Sequence, residues 1–422
     1  MPVRIAITGL GGLCAIGPDL PTAWQALVAG HTGIRPLTGI PTDRIKARIA
    51  AQCAFDPAAH FDARRVPLMD RASAMAVVAA RAALADAGLA DAGLADAGLA
   101  DAGLADAGLA DAGLGWDPSQ AHRRGTVLGA AIGQTSLDDA YRAFYGEGAV
   151  RVHPLTVPRL MPNAAAAHVS MECGLLGPCF AIASACASST HALGQAMDVI
   201  RAGRADLMLA GGADASIVPG VFKSWEGLRV LSPDGCRPFS LNRSGLVLGE
   251  GAAVLVLERW DHAQARGARI YAELAGVGMT ADGADLTAPD AGGAARAMQG
   301  ALDDAGMTED TIGYVNAHGT GTRLNDRTET AALHQVFRTL PPTSSSKGAI
   351  GHCLCAAGAL EAAFTVMALH TQTLPPTVGF SVADPECDID PVPLARPAQF
   401  GAALSNSFAF GGMNASVLFR RP

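Results

Sequence analysis

The chain opens on an alternation: in MPVRIAITGLGG, apolar Val3, Ile5 and Ile7 are spaced by two and run into glycines, the pattern of a first strand ending in a turn. It lacks the charged and apolar blocks of a secretory leader. Leu207-Met-Leu-Ala210 and Ala253-Val-Leu-Val-Leu257 are continuous apolar runs, as expected of strands covered on both faces. The segment 178–184, PCFAIAS, reads by composition as another buried strand. From Ala187 the period changes: Ala192, Leu193, Ala196, Met197 and Ile200 share one helical face, and Arg201, Gly203 and Arg204 close the helix. Two further helices end alike, in Arg81-Ala-Ala-Leu-Ala-Asp-Ala-Gly88 and Gln299-Gly-Ala-Leu-Asp-Asp-Ala-Gly306. Each closes on a glycine and leads, after any insertion, to a strand, GTVLGAAIG or IGYVNAHG. The pattern predicts a layered α/β protein of two similar halves, 1–260 and 261–422. No Pro- or Ser-rich linker separates them, so one compact unit is expected.

One stretch breaks the pattern. LADAG stands six times in succession from Leu84 to Gly113. A period of five turns each leucine about 140° around a helix, so the leucines share no face, and the units are too short for a solenoid. The repeat reads as a surface insertion at a helix end in preference to a spacer or partner-binding arm. It changes the meaning of the charge. The formal net charge is −8, but removing five copies would remove five aspartates. The acidity belongs mostly to the insertion and argues against general nucleic-acid affinity. Half of the 422 residues are hydrophobic and 17% are charged, the balance of a globular chain, and no apolar run approaches a membrane span. Nine scattered cysteines fit reduced thiols in the cytoplasm better than a disulfide framework.

Gly9-Leu-Gly11-Gly12-Leu-Cys14 resembles a dinucleotide fingerprint, but Cys14 stands at the third glycine and no acidic residue follows at the right distance. A tight turn is expected, and no nucleotide. In Ile182-Ala-Ser-Ala-Cys186-Ala-Ser-Ser-Thr190 a cysteine sits among small residues between strand and helix. Free N–H groups at a helix N-terminus favour a thiolate, and small neighbours admit a substrate. On this segment alone a nucleophile elbow and an inert buried thiol are both open. Val315-Asn-Ala-His318-Gly-Thr320-Gly-Thr322 places a histidine just past a strand, where open α/β sheets bind ligands. Ser344-Ser-Ser-Lys347-Gly-Ala-Ile-Gly351-His352-Cys353-Leu-Cys355 places a second before an Ala-rich helix. His352 with the two cysteines lacks a second ligand pair at zinc spacing, so no metal is expected.

Taken together, SACASS, NAHGTGTRLNDRTE, SSSKGAIGHCLCAAGA, RPFSLNRSGLVLGEGAAVLVLE and LSNSFAFGGMNASVLF resemble the β-ketoacyl-acyl carrier protein synthases of the elongating KAS I/II class, nearly end to end apart from the insertion. The resemblance implies the thiolase fold, two duplicated halves in five layers α/β/α/β/α. It implies a decarboxylative Claisen condensation of an acyl chain held on Cys186 with malonyl-carrier protein. His318 and His352 would bind the malonyl thioester carbonyl, with a Lys347–Glu329 ion pair behind them and Asp326 supporting the loop. Thr320 and Thr322 would bind pantetheine, and Thr287, Trp225, Ala409 and Gly411 would contact substrate. The N–H groups of Cys186 and Phe410 would form the oxyanion hole, with Phe410 as the gate. No metal or organic cofactor is implied, since phosphopantetheine arrives on the carrier. The implied partners are an acidic acyl carrier protein, met by Arg229, Arg64 and Arg65, and a second subunit, either a like copy or a chain-length factor.

The sequence departs from relatives at several positions. Ala409 and Met413 flank the gate where relatives carry Gly and Thr, and a Cβ at 409 is expected to restrict it. Trp225 and Glu226 replace Phe and a small residue, which is expected to shorten or flatten the acyl pocket. Ser240, Asn242 and Ser244 replace a more acidic pattern, and Cys355 a Gly. Fatty-acid elongation and specialised type II polyketide or aryl polyene assembly remain alternatives, as does a non-catalytic chain-length-factor-like subunit. Cys186 with both histidines argues against the last. A degradative thiolase would need a second catalytic cysteine near the C-terminus, and an initiating synthase would carry Asn at His352.

Overall fold

The computed structural model describes residues 3–89 and 118–422; the repeat beyond Leu89 lies outside them. Ten strands build the main sheet. In the first half these are β1 (Ile5–Cys14), β2 (Arg124–Gly129), β3 (Cys179–Ile182), β4 (Leu207–Asp214) and β5 (Gly251–Arg259). In the second they are β6 (Ala272–Ala281), β7 (Ile312–Asn316), β8 (Thr343–Ser344), β9 (Ala402–Ala409) and β10 (Met413–Arg420). Their order is β8-β7-β9-β10-β6-β1-β5-β4-β2-β3. The two halves repeat one plan. β2 runs parallel to β3 and β4, while β4–β5 and β5–β1 are antiparallel. β7 runs parallel to β8 and β9, while β9–β10 and β10–β6 are antiparallel. The halves meet where Ile5–Ile7 of β1 pair with Ala272–Leu274 of β6.

The helices follow the same plan. α1 (Arg71–Asp86) packs on first-half strands and α4 (Ala291–Ala305) on second-half strands. Asp70 and Asp290 cap them by accepting from Ala72 N and Gly293 N. Both end in left-handed glycines, Gly88 and Gly306. α2 (Ser188–Arg201) and α6 (Ala357–Thr371) form the central layer and touch strands of both halves. The five layers of the thiolase fold result. Leu354–Thr371 is long and apolar enough to cross a bilayer, yet 83% of that stretch is buried inside the protein. α3 (Pro219–Gly227) and α5 (Arg323–Val336) flank the site.

Two expectations need correction. Gly9 and Gly11 lie inside β1 and not in a turn. A Cβ at Gly9 would stand 2.2 Å from Ala83 O, and one at Gly11 2.1 Å from Ala79 O, so the glycines let α1 rest on the strand. Gly276 and Gly278 do the same in β6 for α4, with Ala301 O and Ala297 O at 2.2 and 1.9 Å. Strand β3 is not buried, because it is the last strand of the sheet and its residues are exposed or half-exposed.

Candidate active site

A short strand-to-helix connection sets the geometry. Ala185, directly before Cys186, has φ +48°, a left-handed conformation that turns the chain sharply at the head of α2. The second half repeats the turn: Leu354, before Cys355 at the head of α6, has φ +46°. Cys355 therefore occupies the duplicate of the Cys186 position. It is buried beneath Ser188, whose hydroxyl reaches its sulfur at 3.7 Å, and its N–H points to Asp214 at 3.4 Å. The first elbow opens to a cavity, which Cys186 lines.

His352 Nε2 stands 3.0 Å from Cys186 Sγ. The His318 ring packs edge-on against His352, with centroids 5.3 Å apart. Both rings line one cavity with Cys186, Thr320, Thr322, Trp225, Thr287, Ala409 and Phe410. Burial and the Lys347 charge push both imidazoles well below the ordinary histidine range, so they are neutral. Burial pushes the Cys186 thiol up to about 12, opposed in part by Lys347. Desolvation favours the thiol form of Cys186, against the pull of a helix N-terminus towards the thiolate. The thiol needs a proton acceptor, and neutral His352 is in reach.

The ion pair behind the histidines is also different. Lys347 Nζ pairs with Glu361 of α6, with both side chains fully buried, and also donates to His318 O. Glu329 does not pair with it: its two oxygens accept from the backbone N–H of His318 and Gly319, each at 2.8 Å. Burial pushes the Glu329 carboxyl up to about 7. Helix α5 aims Glu329 at the loop, while α6 brings Glu361 beneath the lysine. Glu361 was legible as the lone charge in the apolar run AGALEAAFTV. Lys347 Nζ lies 3.4 Å from His318 Nδ1. An ammonium only donates, so Nδ1 accepts and the ring proton sits on Nε2. Asp326 accepts from Phe239 N and Gly321 N at 2.8 and 3.2 Å and holds the loop from beneath.

Gly411 and Gly412 take φ +85° and +67°, so the turn after Phe410 requires them. Gly411 N donates to Leu286 O at 2.7 Å, tying the gate to the loop that carries Thr287. Trp225 stacks on Phe410, centroids 5.9 Å apart and planes 23° from parallel. The neighbouring Glu226 accepts from the backbone N–H groups of Lys46 and Ala47 and pairs with Lys223. Ser240 and Asn242 pin residue 381, and Ser244 bonds Asp234. Arg229 and Arg64 are exposed outside the cavity. Arg65 instead pairs with Glu172, which Arg81 also holds, so it braces the fold. Among the described residues no group of three or more His, Cys, Asp or Glu is arranged to hold a metal ion.

The β-ketoacyl synthase N-terminal domain model matches residues 3–104 and 99–263, and its C-terminal domain model residues 271–381. Nodulation protein E of Rhizobium sp. (strain N33) is 43% identical, over the full length of both chains. The 3-oxoacyl-[acyl-carrier-protein] synthase 2 of Staphylococcus aureus (strain MRSA252) is 36% identical, covering 99% of this chain and 98% of that one. A solved type II polyketide acyl-carrier protein in complex with its ketosynthase, bound to the hexaketide, superposes with a TM-score of 0.85 at 28% identity over both full chains. The chain belongs to the β-ketoacyl synthase family.

Proposed function

We propose that the chain condenses an acyl group held on Cys186 with malonyl-acyl carrier protein, giving β-ketoacyl-carrier protein. The observation that carries this is the 3.0 Å contact between Cys186 Sγ and a buried, neutral His352, with His318 beside it in one cavity. Cys186 attacks the acyl thioester as its proton passes to His352 Nε2, and the pantetheine thiolate leaves, taking a proton. Malonyl-pantetheine follows. Its thioester oxygen accepts from Nε2–H of His318 and, once the neutral His352 ring has exchanged its proton from Nδ1 to Nε2, from Nε2–H of His352. CO2 leaves, the enolate carbon attacks the Cys186 thioester, the C–S bond breaks, and a proton from solvent restores the Cys186 thiol. Backbone N–H groups of Cys186 and Phe410 serve as the oxyanion hole in the acylation step. Loss of CO2 drives the bond formation, so the reading calls for no metal or organic cofactor.

Partners follow from the same reading: an acyl carrier protein, as in the solved ketosynthase complex, and a second subunit covering the half-exposed edge strand β3 and nearby Met171 and Leu176. A homodimer is the simpler assembly, with a chain-length-factor heterodimer as the alternative. Nine unpaired cysteines support a cytoplasmic setting. The Trp225–Phe410 stack tilts the pathway towards specialised acyl chains over housekeeping elongation.

The test is intact-mass analysis after incubation with carrier proteins bearing saturated, polyunsaturated and aryl chains. Wild type should gain one acyl group from a preferred class, and Cys186→Ala none. Acylation that persists in Cys186→Ala would sink the assignment.

A further inference from the structure

The sharp turn at Ala185 has to be held in place. A left-handed φ on a residue with a Cβ costs energy, and it persists only where the surroundings fix it. Ser188, fully buried at the head of α2, closes a ring around that turn. Its hydroxyl accepts from Ser184 N at 2.9 Å and donates to Ala185 O at 2.6 Å. A third neighbour of the hydroxyl comes from the other half of the chain: Cys355 Sγ, 3.7 Å away at the head of α6. A second tie joins the same two helix heads, since Ala359 N donates to Ser189 Oγ at 2.9 Å.

Cys355 is braced in turn by buried Asp214, the last residue of β4. The Cys355 N–H points to its carboxylate at 3.4 Å, and Ser216 N donates to it at 3.0 Å. Burial pushes the Asp214 carboxyl up to about 6, and hydrogen bonds from Ser216 and Cys355 oppose that shift. Strand β4 also presses on both elbows: a Cβ at Gly212 would stand 2.7 Å from Cys355 O and 2.8 Å from Ser189 Cβ. One chain of contacts, Asp214–Cys355–Ser188–Ala185, thus runs from the first half through the second and back to the neighbour of the nucleophile. A glycine at 355 would leave that side of Ser188 without a side chain to lean on. His352 is held separately, its N–H donating to Val247 O at 2.7 Å and its O accepting from Gly249 N at 2.9 Å. The 3.0 Å approach of Cys186 Sγ to His352 Nε2 therefore depends on how firmly the first elbow is held.

We propose that Cys355, braced by Asp214, is a positioning residue that acts through Ser188 to hold the elbow aiming Cys186 at His352. This rests on the ketosynthase reading and adds a residue to its machinery. The test follows acylation of Cys186 by hexanoyl-N-acetylcysteamine in Cys355→Ala, Cys355→Ser, Ser188→Ala and the double variant C355A/S188A. Cys355→Ala should lower kcat about fivefold or more with KM changed less than about twofold, since a misplaced nucleophile costs rate and not binding. Cys355→Ser keeps a polar atom beside Ser188 and should recover about half of the wild-type kcat or more. The double variant should be no slower than Ser188→Ala alone, because the two residues act in series. An unchanged kcat in Cys355→Ala, equal losses in Cys355→Ala and Cys355→Ser, or losses that multiply in the double variant would overturn the proposal. Should Ser188→Ala not fold, the kcat values of the two Cys355 variants decide. If wild type takes no acyl group from this thioester or from loaded carrier protein, the ketosynthase reading fails. Alkylation of Cys186 by iodoacetamide, read by peptide mass, then decides the buttress alone. Slower alkylation in Cys355→Ala, restored in Cys355→Ser, supports it, and equal rates overturn it.

Discussion

At the scale of single residues, proton location decides the chemistry. Because burial pushes the Cys186 thiol up to about 12, its thiolate fraction rises about tenfold per pH unit throughout the neutral range. Alkylation of Cys186 by iodoacetamide, followed by intact mass, should therefore climb from pH 7 to 9 without a plateau. A plateau near pH 7 would reveal a preformed thiolate instead. Lys347 and Glu361 make the second prediction. Lys347→Met leaves Glu361 buried without its counter-charge and should cost about 3–5 kcal/mol in chemical denaturation. Lys347→Met with Glu361→Leu should regain most of that. If Glu329 were the true partner, the double variant would stay as unstable as the single. Cys186, His318 and His352 were legible because each sits on a glycine- or small-residue turn at an element boundary. Pairing was not legible. Glu329 and Glu361 are both glutamates on helices near the site, and only the packing of α5 and α6 says which one meets the lysine.

At the scale of elements, the duplication was visible in two helix endings, and the structure extends it to strand order, caps and elbows. The glycines of β1 show where sequence reading ran out. A glycine-rich segment after an alternating run fits a turn, a phosphate cradle or a strand under a close helix, and only contact with α1 separates them. Gly11→Ala and Gly278→Ala should each destabilise by roughly 1–3 kcal/mol, because the added methyl collides with helix backbone that cannot swing aside. Urea denaturation measures this. Both should leave cavity geometry, and hence KM for a small thioester, nearly unchanged. Strand β3 was misread for a related reason, since apolar composition reports a face that wants cover without saying whether this chain supplies it.

At the scale of the whole molecule, the proposed second subunit would cover the half-exposed β3 edge and exposed Met171 and Leu176. The native mass should be twice 42.9 kDa by mass photometry, and Ala181→Lys at the edge should yield monomers. A stable monomer in wild type would remove the basis for the dimer.

The central layer has a consequence for how the chain is made. β5 ends at Arg259, yet one of its faces is covered by α6, which ends at Thr371. About 110 residues separate the two, so at about 5–20 residues per second the ribosome takes on the order of 5–20 s to deliver the cover. For that interval the nascent first half lacks the α6 cover over Ala253, Leu255 and Leu257. Its safe passage depends on synthesis speed and on chaperones as much as on any contact in the finished protein.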